Sequence, residues 1–220
     1  MRLRGLPEYT LEQIAELRAR WQTPIGLEIS QAILARERAG CDDGEDWPVL
    51  LEQLPATSAP WPTNNQYLDL RGICLDGEDL QDVRFSFVDV SFGSFKGCQA
   101  QRFCLQGSTC IELDLRGTNL KKADLLQIVA PRARFDYCDL TGAVMMCSEL
   151  QMASFASANL TAAWVNGCNF ELANLQGAVL EDLDRFVSVF PDGHRRIAPI
   201  SEPWIRAWVE VERILADGRR

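Results

Sequence analysis

The sequence predicts an all-β solenoid with helical units at its ends, and three observations carry that prediction. The first is a five-residue apolar period: every residue whose number is a multiple of five from 70 to 180 is apolar, twenty-three in succession from Leu70 to Leu180. The second is a column of small or apolar residues two places earlier, ending in Ala153, Ala158, Ala163, Cys168, Ala173 and Ala178. The third is that helical spacing occurs only before and after this region. A helix repeats its buried face near 3.6 residues and a strand near 2, so a period of five requires a third geometry.

The stretch Leu68–Phe87, LDLRGICLDGEDLQDVRFSF, shows the frame, and SANLT, ELANLQGAVL and LRGTNLKKADL give its clearest copies. These copies resemble the pentapeptide-repeat family, whose consensus is A(D/N)LxG, and the resemblance covers residues 68–184. It implies a right-handed quadrilateral parallel β-helix with one pentapeptide per side and four per coil, hence about six coils. Residues 1–66 are then an N-terminal helical cap with a Pro-rich linker, residues 67–184 the β-helix, and residues 185–220 a C-terminal loop and amphipathic helix.

A four-sided coil explains the pattern, because two residues in five point to the axis while three face outward or turn the corner. Coils pairing like parallel strands about 4.8 Å apart would build a rod of roughly 28 Å. The narrow interior requires large residues beside small ones. Ile128 before Ala130, Gly93 before Phe95, and Phe103 after Ala100 meet that requirement, and Leu113 and Leu115 compensate for Ser108 and Cys110. Glu78 is an acid at an inward position of the first coil, and is expected to meet solvent or a donor at an end cap. Gly77, Gly97, Gly117 and Gly177 fall on one corner, where glycine tolerates the turning backbone. Tyr137 and Ser157 interrupt that column and predict a less regular middle of the edge.

An open β-helix exposes core and unpaired edges at both ends, so caps are expected. Thr10 and Gln13 have capping-box spacing, while Thr23 with Pro24 starts a second helical segment that Gly40 stops. A short helical turn around Trp47–Leu54 leads to the linker PATSAPWPTN. Beyond the repeats, SEPWIRAWVEVERILADG places Trp204, Trp208, Val211 and Leu215 on one helical stripe, which must be buried over the last coil or in a homodimer seam.

Composition and motifs bound the function. The chain has 220 residues, 47% apolar and 24% charged, and no apolar run long enough for a membrane span. Its first residues lack the apolar core of a secretory signal, and a cytoplasmic location is expected. Net charge is −9, divided as −4 over residues 1–67, −7 over 68–184 and +2 over 185–220, which disfavours direct nucleic-acid binding. The eight cysteines, Cys41, Cys74, Cys98, Cys104, Cys110, Cys138, Cys147 and Cys168, form no C-x-x-C pair, and His194 is the only histidine. Zinc ligation would need closer spacing, so the cysteines are read as free thiols, several of them small core residues. No phosphate loop, dinucleotide fingerprint or nucleophile triad is present, and His194 lies in the loop-like PDGHRR, so neither enzyme nor cofactor is expected. Asp79, Asn119, Asp139 and Asn159 form a polar ladder that is expected to support the backbone.

Outward positions carry the functional signal, because folding does not require them to be apolar. Leu126, Val144, Met146 and Trp164 map to one side, and Val129, Met152 and Leu172 to the adjacent one. A contiguous apolar area over the later coils is a protein-contact surface. The first expectation is therefore a non-catalytic protein-interaction scaffold whose partner the residues do not name. The second comes from the resemblance: some bacterial members of the family mimic duplex DNA, bind DNA gyrase or topoisomerase IV, and protect these enzymes from quinolones or related toxins. Arg71, Lys96, Arg102, Arg116, Lys121, Lys122, Arg132 and Arg134 interrupt the acidic surface that such mimicry uses.

Overall fold

In a computed structural model, the described residues are 7–39, 47–60, 67–184, 188–189 and 195–196. From Leu68 onward the chain pairs with itself at a constant offset of twenty residues, always parallel: Leu68 with Val88, Cys74 with Ser94, Asp79 with Gln99, Arg84 with Cys104, and so on to Asn169 with Val189. Twenty residues are four pentapeptides, so each coil has four sides. Their first copies are residues 68–70, 73–75, 78–80 and 83–85, here sides one to four, and every later copy lies twenty residues on.

Each side is too short for a conventional strand, since the chain turns every five residues. Only β1 (Leu68–Asp69) and β2 (Val88–Asp89) reach two paired residues within the repeats, and the other sides contribute single bridges. The turns are built alike. At the first, Ile73 N–H donates to the Leu70 carbonyl at 3.1 Å and Gly72 takes φ +79. An i to i+3 bond with positive φ at the third residue alone is the type II pattern. Fifteen non-glycine residues hold the same left-handed conformation, Tyr137 (φ +60) and Ser157 (φ +56) among them. The corner carrying Gly77 therefore stays regular through Tyr137 and Ser157, contrary to the expectation. Stacking on the adjacent coils fixes the corner whatever residue occupies it.

The inward pairs form one core from Leu70 to Phe170, nearly all inaccessible to solvent. Phe85, Phe95 and Phe103 meet edge to face at 5.7–6.5 Å, and Phe135 stacks on Phe155 at 4.7 Å. Small polar residues in the inner column have a second task. Cys98, Cys138 and Cys168 donate their thiols to the carbonyls of Leu75, Leu115 and Met145, and Ser108 and Ser148 donate to those of Phe85 and Leu125. These bonds supply partners to the inward carbonyls of Phe85, Leu125 and Met145, and a second donor to those of Leu75 and Leu115, which also accept from Glu78 and Thr118 N–H.

The N-terminal unit comprises α1 (Leu11–Ala19), a 3-10 turn (Arg20–Gln22), α2 (Pro24–Arg38) and α3 (Trp47–Leu51). Thr10 and Gln13 form the reciprocal capping box, and Thr23 caps α2 by accepting from Gly26 N–H. Ile29, Ile33 and Leu34 of α2, with Trp21 and Trp47, join the same core as Leu70, Leu75 and Phe85, so these elements close the first coil. The closure also satisfies the backbone edge. Arg38 donates to the Asp79 carbonyl, Trp21 Nε1 and Arg20 to the Arg71 carbonyl, and Arg84 N–H donates to the Glu37 carboxylate. Such partners remove the free edge that another chain could extend. Glu78 meets Arg38 and Gln31 at this cap, at 3.2 Å each. Helix α1 instead lies along the corner between sides one and two, with Leu17 packed against Phe92 and Ile111.

At the far end β3 (Ser188–Val189) extends side one, and β4 (Arg195–Arg196) pairs with it antiparallel, Ser188 opposite Arg196. Cys41, His194 and the stripe Trp204, Trp208, Val211 and Leu215 lie outside the described residues.

Candidate protein-contact surface

The twenty-residue register sorts outward residues into columns. The centre of side four carries Arg84, Cys104, Asp124, Val144, Trp164 and Asp184. The next corner, between sides four and one, carries Ser86, Gln106, Leu126, Met146 and Asn166 in successive coils. Val144 and Trp164 therefore stand on the column beside that of Leu126 and Met146, two residues apart in sequence. Trp164 is 39% exposed and the other three are half-buried.

The second predicted group divides. Val129 lies at the centre of side one, in the column Asp69, Asp89, Thr109, Val129, Glu149, Asn169. Met152 and Leu172 lie beyond it, at the left-handed position of the corner between sides one and two, with φ +60 and +59. Glu149 and Asn169 thus separate Met152 and Leu172 from the first group, and the predicted area is two patches rather than one. A coil period assigns residues to sides, whereas only the turn geometry shows that positions ending in two or seven form the corner itself. That geometry also exposes a residue the pattern missed: Phe87, 56% exposed, occupies the same corner as Leu126 and Met146 and meets Tyr67 edge to face. A Cβ at Gly107 would lie 2.6 Å from the Phe87 ring, so the next coil has glycine beneath it.

Side three is polar at its centre from Asp79 to Asn159, and only its last copy carries an exposed apolar residue, Val179. Asp79, Asn119, Asp139 and Asn159 each accept from the backbone N–H two residues on, at 3.0–3.4 Å, the supporting role expected of that ladder. Basic residues are interleaved with acids: Arg102 with Asp82, Lys96 with Asp76, Arg116 with Asp114, Lys121 with Asp139, and Arg132 with Glu112, all within 3.4 Å. Exposed pairs of this kind add little stability, but they break up any continuous acidic surface.

Charge is concentrated at the joint with the N-terminal unit. Asp69 accepts from Arg71 Nε at 2.8 Å and from Arg20 at 2.9 Å, while Arg71 reaches Tyr9 Oη and the Pro60 carbonyl. Burial opposes the charge on Asp69, yet hydrogen bonds from Arg71 and Arg20 hold its carboxyl below the ordinary range. Asp89, one coil on, has Ser91 as its hydrogen-bonding partner, and burial pushes its carboxyl up.

The seven described cysteines form no disulfide with one another. Burial pushes the thiols of Cys98, Cys138 and Cys168 up to about 11, 12 and 12, which leaves them unreactive near neutrality, whereas Cys74 and Cys147 are exposed. Among the described residues no group of three His, Cys, Asp or Glu side chains could hold a metal ion, and no helix is long and apolar enough to cross a membrane.

A family model for pentapeptide repeats matches eight copies, over residues 109–146, 132–161 and 153–184. Residues 109–184 are a run of pentapeptide repeats. Pentapeptide repeats imply a right-handed β-helix, and the same parallel register continues upstream of the matched residues, through Cys74–Ser94 and Arg84–Cys104. Among solved pentapeptide-repeat structures, the chain is similar to HetL, involved in heterocyst differentiation regulation in the cyanobacterium Nostoc sp. strain PCC 7120, with 18% identity, a TM-score of 0.26, and coverage of 58% of this chain and 91% of that one. A pentapeptide repeat protein of the cyanobacterium Cyanothece 51142 shows 20% identity, a TM-score of 0.27, and coverage of 56% and 87%. QnrB1, a plasmid-mediated fluoroquinolone resistance protein, shows 18% identity, a TM-score of 0.22, and coverage of 51% and 67%. No curated protein matches the chain.

Proposed function

We propose that this pentapeptide-repeat chain is a non-catalytic cytoplasmic scaffold that acts by binding another protein. Residues 1–66 serve as the N-terminal cap, residues 67–184 as a β-helix of about six coils, and residues 185–220 as a C-terminal unit ending in an amphipathic helix. The observation that carries the reading is the apolar cluster of Leu126, Val144, Met146 and Trp164 on outward columns that the fold leaves free to be polar. Side three shows the alternative, since there the same positions hold Asp and Asn bonded to backbone.

The test compares the parent with Trp164→Ala and Val144→Asp in affinity capture from the source cell, with Asn119→Ala on side three as control. A partner that the two patch variants lose and the control keeps supports the reading. An identical partner set and assembly state in all four proteins refutes it.

The net charge of −9 favours a second reading, a DNA mimic that binds a type II topoisomerase. The interleaved ion pairs of the coils place it second. A gyrase supercoiling assay with and without a quinolone decides it: rescue or inhibition by this protein would promote it to first place.

A further inference from the structure

The apolar cluster of side four lies where the chain's own last segment leaves the described structure. Every segment of side one runs from the corner bearing Leu126 and Met146 toward the corner bearing Met152, and the parallel pair Asn169–Val189 keeps β3 in that direction. Because β4 is antiparallel to β3, with Val189 opposite Arg195 and Ser188 opposite Arg196, the chain runs back and leaves Arg196 heading for the corner of Leu126 and Met146. It leaves beside side four, one strand step beyond the coil of Asp184, which itself follows that of Trp164.

The sequence beyond Arg196 carries a stripe of matching character and length. Trp204, Trp208, Val211 and Leu215 recur at helical spacing, and a helix across those twelve residues spans about 17 Å. From the row of Asp184 back to the row of Asp124 is three coil steps, about 14 Å at strand spacing. The intervening residues from Ile197 to Pro203 can extend roughly 20 Å, enough to turn the corner and reverse along the rod.

We propose that the C-terminal segment folds back in cis along side four, laying Trp204, Trp208, Val211 and Leu215 over Val144, Met146 and Trp164 as a strap. The proposal rests on the reading of that cluster as a contact surface and names its occupant in the free protein. A second copy is the competing occupant, and end-on packing against Leu175 and Leu180 is the competing position.

The test is photo-cross-linking of the full chain with a benzophenone amino acid at Met146, in an equimolar mixture of unlabelled and heavy-nitrogen-labelled protein. Peptide mapping is expected to join residue 146 to the tryptic peptide Ala207–Arg213, with both halves carrying the same label. Mixed-label products in that peptide would replace the strap by a second copy, and no product there would overturn it. Thermal unfolding of Val144→Asp, Trp208→Asp and their double variant gives an independent reading. Opposed faces lose the same contact once, so the double variant melts no lower than the worse single one, and additive shifts would refute the proposal. If the cross-link fails while partner capture still depends on Trp164, the strap is wrong and the scaffold stands.

Discussion

Replacing Gly72 with alanine adds one atom, at a place where two penalties meet. The backbone there has φ +79, a left-handed conformation that costs a residue with a Cβ about 1–2 kcal/mol, offset in part by the smaller unfolded-state entropy of alanine. The added Cβ would also stand 2.3 Å from the Leu17 carbonyl oxygen and 2.7 Å from the Arg18 nitrogen, backbone atoms of α1 that cannot rotate away. Helix α1 must therefore lift from the coil. Lifting it exposes Leu17, which is completely buried against Phe92 and Ile111, and breaks the bond from Arg18 to the Phe92 carbonyl at 3.0 Å. Re-exposing the leucine costs about 1.5–3 kcal/mol, and the bond from the charged side chain adds about 1.5–3 kcal/mol. The total expected for Gly72→Ala, with the entropy offset subtracted, is roughly 3–7 kcal/mol. Gly77 supplies the control: its φ is +75, but nothing lies within 4 Å of an added Cβ, so Gly77→Ala incurs the dihedral penalty alone. Calorimetric unfolding should show the two variants separated by roughly 10 °C, at about 2–4 °C per kcal/mol for a chain of this length. Trypsin should cut Gly72→Ala early at Arg18 and Arg20. Equal melting shifts in the two variants would refute the seating of α1 on the corner at Gly72.

Ala162 holds φ +55 at an exposed corner, so Ala162→Gly should relieve left-handed strain and raise the melting point by the equivalent of about 1 kcal/mol, and a fall would count against the corner assignment. The Asp69 carboxyl lies below its ordinary range in the folded state, so its contribution is complete above the unfolded value near about 4 and is lost as pH falls through the folded one. Chemical denaturation of Asp69→Asn across acid pH should accordingly show a flatter fall than the parent, and an unchanged slope would remove Asp69 from the joint. A thiol reagent applied to the native protein near neutral pH should modify Cys74 and Cys147 well before Cys98, Cys138 and Cys168, as read by peptide mass, and modification of these three at equal rates would contradict their burial.

Much of the rod was legible because its code is local. Each pentapeptide commits its centre and the residue two before it to the axis, so the apolar period alone identifies the core from Leu70 to Phe170. Helix starts were legible for the same reason, since the Thr10–Gln13 box and the Thr23 cap act over three residues. The patch was legible only by column arithmetic. That sufficed for Leu126, Val144, Met146 and Trp164, and it failed for Met152 and Leu172, whose place on a corner depends on backbone conformation. Phe87 escaped because it stands at a corner position that the pattern treats as generic.

By itself the sequence determined the repeat, the inward residues, the helical N-terminal unit and the cap positions, all consequences of interactions within a few residues. Tertiary structure decided what depends on residues brought together from afar. The offset of twenty residues exists only when coils stack, and stacking holds Tyr137 and Ser157 in the conformation of the glycines on their edge. Thiols and hydroxyls of the inner column find carbonyls twenty-three residues upstream. The joint brings Arg20 to Asp69 across 49 positions and Tyr9 to Arg71 across 62, each residue ordinary in its own neighbourhood. No local pattern announces such a cluster, because each charge tolerates burial only with its partners in place, and which charges meet is settled only when the cap closes on the coil.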